Sequence, residues 1–261
     1  MSRSATSRGG RLAGPGRATA PGPASAPAPT PTALPGVSAR GWILALDTAS
    51  STALVALGDT AGRLIDERTW RAGYRHGEEL LRRIDELLAS HSLPVSALGA
   101  IVAGTGPGAF TGLRVGLATA KGLAWGLGRP LVGVPTGEAL LAATAEAGAC
   151  PPLALLLPAG SSDRVLVRDG SVLLLTGGVE PDLPAGTTLV AVDLDGRAPE
   201  AASSLGRAAL AGLGAVLVRL GAARLAAGEP DDLARVVPEY VTLPRGVREQ
   251  GGEVAWSRDH R

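Results

Sequence analysis

The chain has 261 residues, 45% hydrophobic, 19% charged and 3% aromatic, with a formal net charge of +1. That length fits one large domain or two small ones, and a core so poor in aromatics must be built from Leu, Val and Ala. The single cysteine, Cys150, excludes an internal disulfide and a cysteine-based zinc site and fits a reducing cytosol; no apolar run reaches about 18 residues, so no membrane-spanning helix is expected.

The charge is unevenly placed. Arg3, Arg8, Arg11, Arg17 and Arg40 lie in the first 40 residues without a single acid, so the rest of the chain is net −4. Phosphate contacts need clustered Lys and Arg, so this body is a poor independent binder of nucleic acid. Residues 1–40 have too few apolar groups to offset ordering entropy and are expected to be a disordered Pro/Ala/Arg-rich arm. A transit peptide or an upstream start codon fits the same composition, and the absence of a compact apolar core argues against export.

Order begins with Trp42–Leu46, a first strand ending at Asp47. A turn of hydroxyl residues, Thr48 to Thr52, leads to Ala53–Leu57, and a third extended run covers Arg63–Trp70. Asp47 either holds a metal–nucleotide complex, with this turn near the phosphates, or belongs to a capped hairpin turn, the plainer reading. From His76 to Ser90 the period becomes helical. Leu80, Leu81, Ile84, Leu87 and Leu88 share one face, and Glu78–Arg82 and Glu79–Arg83 are acid-first i,i+4 pairs. Ala100–Val102 is a short buried strand, broken by Gly104, Gly106, Pro107 and Gly108 before a helix that starts after Thr111.

Such a strand, glycine loop and helix bring backbone close to something, either a phosphate or another piece of protein. Along the helix Gly112, Gly116, Ala120 and Ala124 form a stripe of small residues. The stripe serves a close partner helix or the chain's own sheet. A strand at Leu131–Val134 and a helix at Thr136–Ala147 complete an order of three strands, helix, strand, helix, strand, helix. That is a ribonuclease H-like half, so the fold class is α/β with a mixed sheet and covering helices. The second half reads as strands at Leu153–Leu157, Arg164–Val167, Val172–Leu175 and Thr188–Val192, with Asp169-Gly170 a hairpin turn. Leu205–Leu210 and Leu220–Ala226 read as helical around a strand at Ala215–Val218. Thr176-Gly-Gly-Val179 reads as a plain turn, because Pro181 and Pro184 follow where a phosphate loop needs a helix. The resulting division is an arm at 1–40, subdomains at 41–148 and 149–243, and a flexible tail at 244–261 in which Trp256 is a candidate partner anchor.

Ile43-Leu-Ala-Leu-Asp-Thr-Ala49, His76-x-x-x-Leu-Leu with Ile84, Gly106-Pro-Gly-Ala-Phe-Thr-Gly-Leu-Arg-Val-Gly116, Ala120-Lys-Gly-Leu-Ala124 and Pro130-Leu-Val-Gly-Val134 together resemble the TsaB (YeaZ) family. The likeness covers about residues 42–141. It implies the actin-like, sugar-kinase-like ATPase superfamily and a non-catalytic subunit. That subunit joins TsaD, with TsaE, in making N6-threonylcarbamoyladenosine in tRNA, and ATP and metal belong to TsaD rather than to this chain. It also implies a helical interface with TsaD, or with a second copy, at Leu80, Ile84, Leu87, Gly112, Leu113, Gly116, Leu117 and Ala120. Asp47, Thr48, Gly106 and Gly108 are then the vestige of a nucleotide site. TsaD ligates metal through two histidines one helical turn apart, and the matching positions here are Thr136 and Leu140, so no metal site is expected. With His76, His91 and His260 the only histidines, no Ser-His-Asp arrangement falls near a nucleophile turn. Lys121, the only lysine, lacks the spacing of a Walker loop. Two departures touch the second half. Pro158-Ala-Gly160 stands where the family often has Asp-Ala-Arg, and Pro238-Glu-Tyr-Val-Thr242 lacks the arginine of Pro-x-Tyr-x-Arg, with Arg245 nearby. The alternative to a cytoplasmic pseudo-enzyme scaffold is a stand-alone ATP-binding phosphotransferase using Asp47 and the glycine loop.

Overall fold

The computed structural model of the chain describes residues 41–71, 76–241, 247–250 and 253–256. The expected arm at 1–40, Arg245 and His260 fall outside the described residues, as do the side chains of His76, Glu78 and Trp256.

The strands β1 (Trp42–Asp47), β2 (Thr52–Gly58), β3 (Leu64–Arg71), β4 (Leu98–Gly104) and β5 (Leu131–Val134) form one sheet in the order β3-β2-β1-β4-β5. The pairings among β3, β2 and β1 are antiparallel and those among β1, β4 and β5 parallel, the ribonuclease H-like order. β1, β2 and β4 are near-continuous apolar runs because both faces of the sheet are covered. Alternation along β1 divides the cover. Leu44 and Leu46 pack with α1 (His76–Ser90) and α2 (Phe110–Leu127), while Ile43 and Ala45 pack with α3 (Thr136–Glu146) and α4 (Glu200–Ala226).

A second sheet is built from β6 (Leu153–Ala159), β7 (Asp163–Arg168), β8 (Ser171–Leu175) and β9 (Thr188–Ala191), ordered β8-β7-β6-β9. Its two antiparallel junctions and one parallel junction repeat β3-β2-β1-β4 without a fifth strand. Asp169 and Gly170 turn the β7–β8 hairpin with φ of 50° and 73°, the positive pair that a tight hairpin of right-twisted strands requires.

The structure corrects two expectations. Ala215–Val218 is not a strand, nor are the flanking helices separate; residues 200–226 form the single helix α4. The Ala-Val-Leu-Val run carries β-type residues, but in a helix it buries Val216, Leu217 and Val218 in the core shared by both sheets, and packing overrides propensity. Close approach is the second reason for the helix. A Cβ on Gly206 would meet the Ala191 carbonyl, and one on Gly221 would meet Val102, so small residues let α4 lie directly on β9 and β4. At 27 residues α4 is also long and apolar enough by composition to cross a membrane, against the expectation that no such segment exists, and its Ala209, Leu213, Val216, Leu217 and Val218 are buried in the core.

The boundary at 148/149 separates the sheets but not the core, since Ile43, Leu140, Leu155, Val190 and Leu213 belong to one cluster. Within the tail, two short segments pair as β10 (Val247–Gln250) and β11 (Glu253–Trp256).

Candidate functional site

The site lies where β1, the glycine loop after β4 and the start of α3 converge. Burial along β1 carries Asp47 to the end of the strand with no exposure, and its carboxylate is satisfied by the chain itself. Ala49 N donates to Oδ1 at 2.8 Å and Thr136 Oγ1 donates to Oδ2 at 2.6 Å. Gly106 N in turn donates to Thr136 Oγ1 at 3.0 Å. Burial raises the Asp47 carboxyl above its ordinary range, and the bonds from Thr136 and Ala49 only partly offset this. The carboxylate is committed to a buried hydrogen-bond chain joining β1 to α3 and the glycine loop.

The glycine loop meets protein. Ala109 N donates to the Ala49 carbonyl at 2.7 Å, and a Cβ on Gly108 would collide with that same carbonyl. Thr48 Oγ1 donates to the Gly112 carbonyl at 2.7 Å, and Cβ atoms on Gly112 and Gly116 would strike Thr48. The loop and the small stripe of α2 therefore clasp the turn after β1. Asp47, Thr48, Gly106 and Gly108, the four residues expected to mark a nucleotide vestige, do come together, and they do so around one another.

The residues expected at an interface lie inside the chain. Leu80, Ile84, Leu87, Gly112, Leu113, Gly116, Leu117 and Ala120 are all buried within the chain. The periodicity that picks out an apolar stripe picks out the face a helix turns to its own sheet. What α1 and α2 leave outward is different: Leu81 is 56% exposed and Trp125 77%, and Cβ atoms on Gly122 and Gly126 would meet nothing.

Between the two sheets is a cleft of about 370 Å³. Ser51, Gly108, Thr136, Leu157 and Asp193 line it, with no Lys or Arg among the lining residues. Thr136 and Leu140, where no metal site is expected, are both buried. Among the described residues no cluster of His, Cys, Asp and Glu is suited to a metal. The Thr176–Val179 segment is a turn held by its neighbours. Gly177 N donates to Asp163 Oδ1 at 2.9 Å, and the Arg164 guanidinium donates to the carbonyls of Gly178 and Val179 at 2.8 and 2.7 Å.

Two features escaped the sequence reading. Arg114 of α2 donates through Nε to Tyr240 Oη at 2.8 Å and stacks 3.8 Å from the centre of the Phe110 ring, pinning the irregular segment around Tyr240 to the start of α2. Asp193, just past β9, reaches across the cleft to Ser51. The sole sequence signal for the latter was an acid at a strand end, and nothing in its spacing pointed to a residue so far away in the chain.

Residues 71–192 match the family model of TsaD, tRNA N6-adenosine threonylcarbamoyltransferase. The chain is 34% identical over 153 residues to the protein of that name from Jannaschia sp., which aligns with 58% of this chain and 42% of the relative. It is 37% identical over 105 residues to the tRNA threonylcarbamoyladenosine biosynthesis protein TsaB of Haemophilus influenzae, aligning with 40% of this chain and 43% of the relative. The chain thus spans less than half the length of the curated relatives it matches. YeaZ from Pseudomonas aeruginosa has the same fold, with a TM-score of 0.56 at 24% identity over 77% of this chain and 100% of that one. By its motifs, its matches and its fold, the chain is similar to the proteins of the TsaB (YeaZ) family.

Proposed function

We propose that this protein is a non-catalytic cytoplasmic subunit in the formation of N6-threonylcarbamoyladenosine in tRNA, binding TsaD and holding it in an active arrangement, with TsaE in the same system. The observation that carries this reading is that the glycine loop spends its close approach on the chain's own first turn, with Ala109 N on the Ala49 carbonyl. Its support in the sequence is the TsaB relative, named for this pathway. Activation is a population shift, limited by how much better this chain binds one state of TsaD than the other. The docking face in this reading is the outer side of α1 and α2, around Leu81, Gly122, Trp125 and Gly126, and a second copy of the chain competes for it. tRNA meets the chain only through the assembled complex.

Reconstituted threonylcarbamoylation with TsaD and TsaE, with and without this chain, tests the function. Stimulation is expected, and equal product without the chain would end the proposal. Trp125→Asp and Leu81→Asp should abolish co-purification with TsaD while leaving the unfolding curve of the chain unchanged. Wild-type recovery of TsaD by both variants would move the interface elsewhere. For the phosphotransferase alternative, calorimetry with magnesium and ATP on the chain alone is decisive, and no heat is expected.

A further inference from the structure

β3 is an edge strand, paired with β2 on one side only and packed against α1 on one face and α4 on the other. A register shift at Leu57 and Gly58 sets which of its residues meets which helix. Asp66 pairs with Leu57, whose side chain lies in the α1 cluster, and Glu67 pairs with Ala56, whose side chain lies in the α4 cluster. Neighbouring acids of one strand therefore sit under different helices.

On the α1 face the acid is well supplied with donors. His91, which directly follows α1, donates through Nε2 to Asp66 Oδ2 at 2.9 Å, while Arg68 Nη1 and Glu67 N donate to Oδ1 at 2.5 and 2.8 Å. Arg68 also donates to Ser90 Oγ at 3.2 Å, so two side chains of β3 grip the end of the helix. The open carbonyls of the last helical turn favour a cation at the same place. Arg68, and His91 after it, hold the Asp66 carboxyl below its ordinary range despite burial, so it stays charged while an imidazole gains or sheds its proton. β2, the other strand beneath α1, has no ionisable residue. Of the two cations of α2, Arg114 is bonded to Tyr240 and Lys121 has no part in the surroundings of Asp66.

On the α4 face the acid has no such partner. Glu67 lies against Gly214, where a Cβ would collide with Oε2. The ionisable residues of α4 are Glu200, Arg207, Arg219 and Arg224, and its three cations are paired with Glu200, Glu146 and Asp231. Burial, and then the Asp66 charge beside it, raise the Glu67 carboxyl above the ordinary 4.5.

Both contacts act in one direction. The imidazolium bond is present below the histidine range and lost as pH rises through it. Glu67 favours the folded state most below 4.5, and that contribution is lost as pH rises through its raised value. We propose that β3 is a proton-operated edge of the first sheet: low pH seats it firmly on α1 and α4 together, and loss of the protons of His91 and Glu67 loosens it. This concerns the isolated chain and does not depend on the scaffold reading.

The test is amide hydrogen exchange of the full chain from about pH 4.5 to about pH 8, corrected for intrinsic rates, in wild type and in the double variant His91→Gln, Glu67→Gln. The protection of the β3 amides in wild type, divided by that in the double variant, should fall about two- to fivefold as pH rises, the reach of one partly exposed ion pair. Each single variant should remove part of that fall. A ratio that does not change with pH overturns the proposal. Should the double variant not fold, flat ratios against both single variants overturn it equally.

Discussion

Thr48 Oγ1 donates to the Gly112 carbonyl at 2.7 Å, and the same side chain stands inside 3.0 Å of where a Cβ on Gly116 would be. Two glycines one helical turn apart are thus explained by one threonine. An interior helical glycine costs about 1 kcal/mol relative to alanine, and the compensating contact is the chain's own first turn.

Gly116→Ala should therefore lower stability by about 1–3 kcal/mol, the range for overpacking a well-filled site. In a Thr48→Ala background the same change should be milder, with a coupling of at least about 0.5 kcal/mol in a double-mutant cycle read by urea unfolding. Additive losses would mean that the stripe is fitted to something other than Thr48.

Gly122, on the opposite side of the same helix, behaves in the reverse manner. A Cβ there meets nothing, so Gly122→Ala should raise stability by about 0.5–1 kcal/mol through helix propensity alone. The contrast between Gly116 and Gly122 separates a residue kept small for the fold from one the fold leaves free to vary. A loss of stability at Gly122 would show a neighbour in the folded chain that these contacts lack.

Asp47 gives a prediction in pH. Its carboxyl is raised by burial in the folded chain, whereas in the unfolded chain it titrates near the ordinary 3.8. Between those two values the folded state binds more protons, so this residue's contribution to stability is greatest below the unfolded value and falls as pH rises through the window. Asp47→Asn removes that dependence. Urea midpoints measured from about pH 4 to about pH 8 should shift in favour of the variant, relative to wild type, as pH rises. Parallel profiles would mean that the native carboxylate is not destabilised by its surroundings.

Much of this was legible in the sequence because local signals and burial agreed. Leu131–Val134 is a strand bounded by Pro130 and Pro135, and its length came out as read. Asp169-Gly170 announced its hairpin through residues that tolerate positive φ. Helix α4 is not legible in Ala215–Val218 alone, because only packing on both sheets decides its state. The burial of the expected interface residues has a related reason. Leu80 and Gly116 repeat with helical period because they face the core, while the exposed face, marked by Trp125 and Gly122, has no period of its own to read. Asp193 and Ser51 adjoin different sheets, and a polar pair so far apart in sequence carries no local signature.

The free edge of the first sheet supplies the last prediction. β5 ends the strand order, and an exposed edge strand is a template for pairing with another chain. Here residue 231 covers it: Asp231 N donates to the Leu131 carbonyl at 2.9 Å, and Gly133 N donates to Asp231 Oδ2 at 2.7 Å. Arg224 of α4 locks the strap, donating to the Gly133 carbonyl at 2.6 Å and to Asp231 Oδ1 at 2.9 Å. Asp231→Ala leaves the Gly133 amide without its acceptor and should cost about 1–3 kcal/mol. Asp231→Asn, which keeps an acceptor for Gly133 N but not the charge opposite Arg224, should lose less. Because the uncovered groups belong to an edge, the alanine variant should also scatter light at temperatures below its own unfolding midpoint, where wild type stays clear. A variant that unfolds with wild type and remains monodisperse would mean that the strap lies on the edge without protecting it.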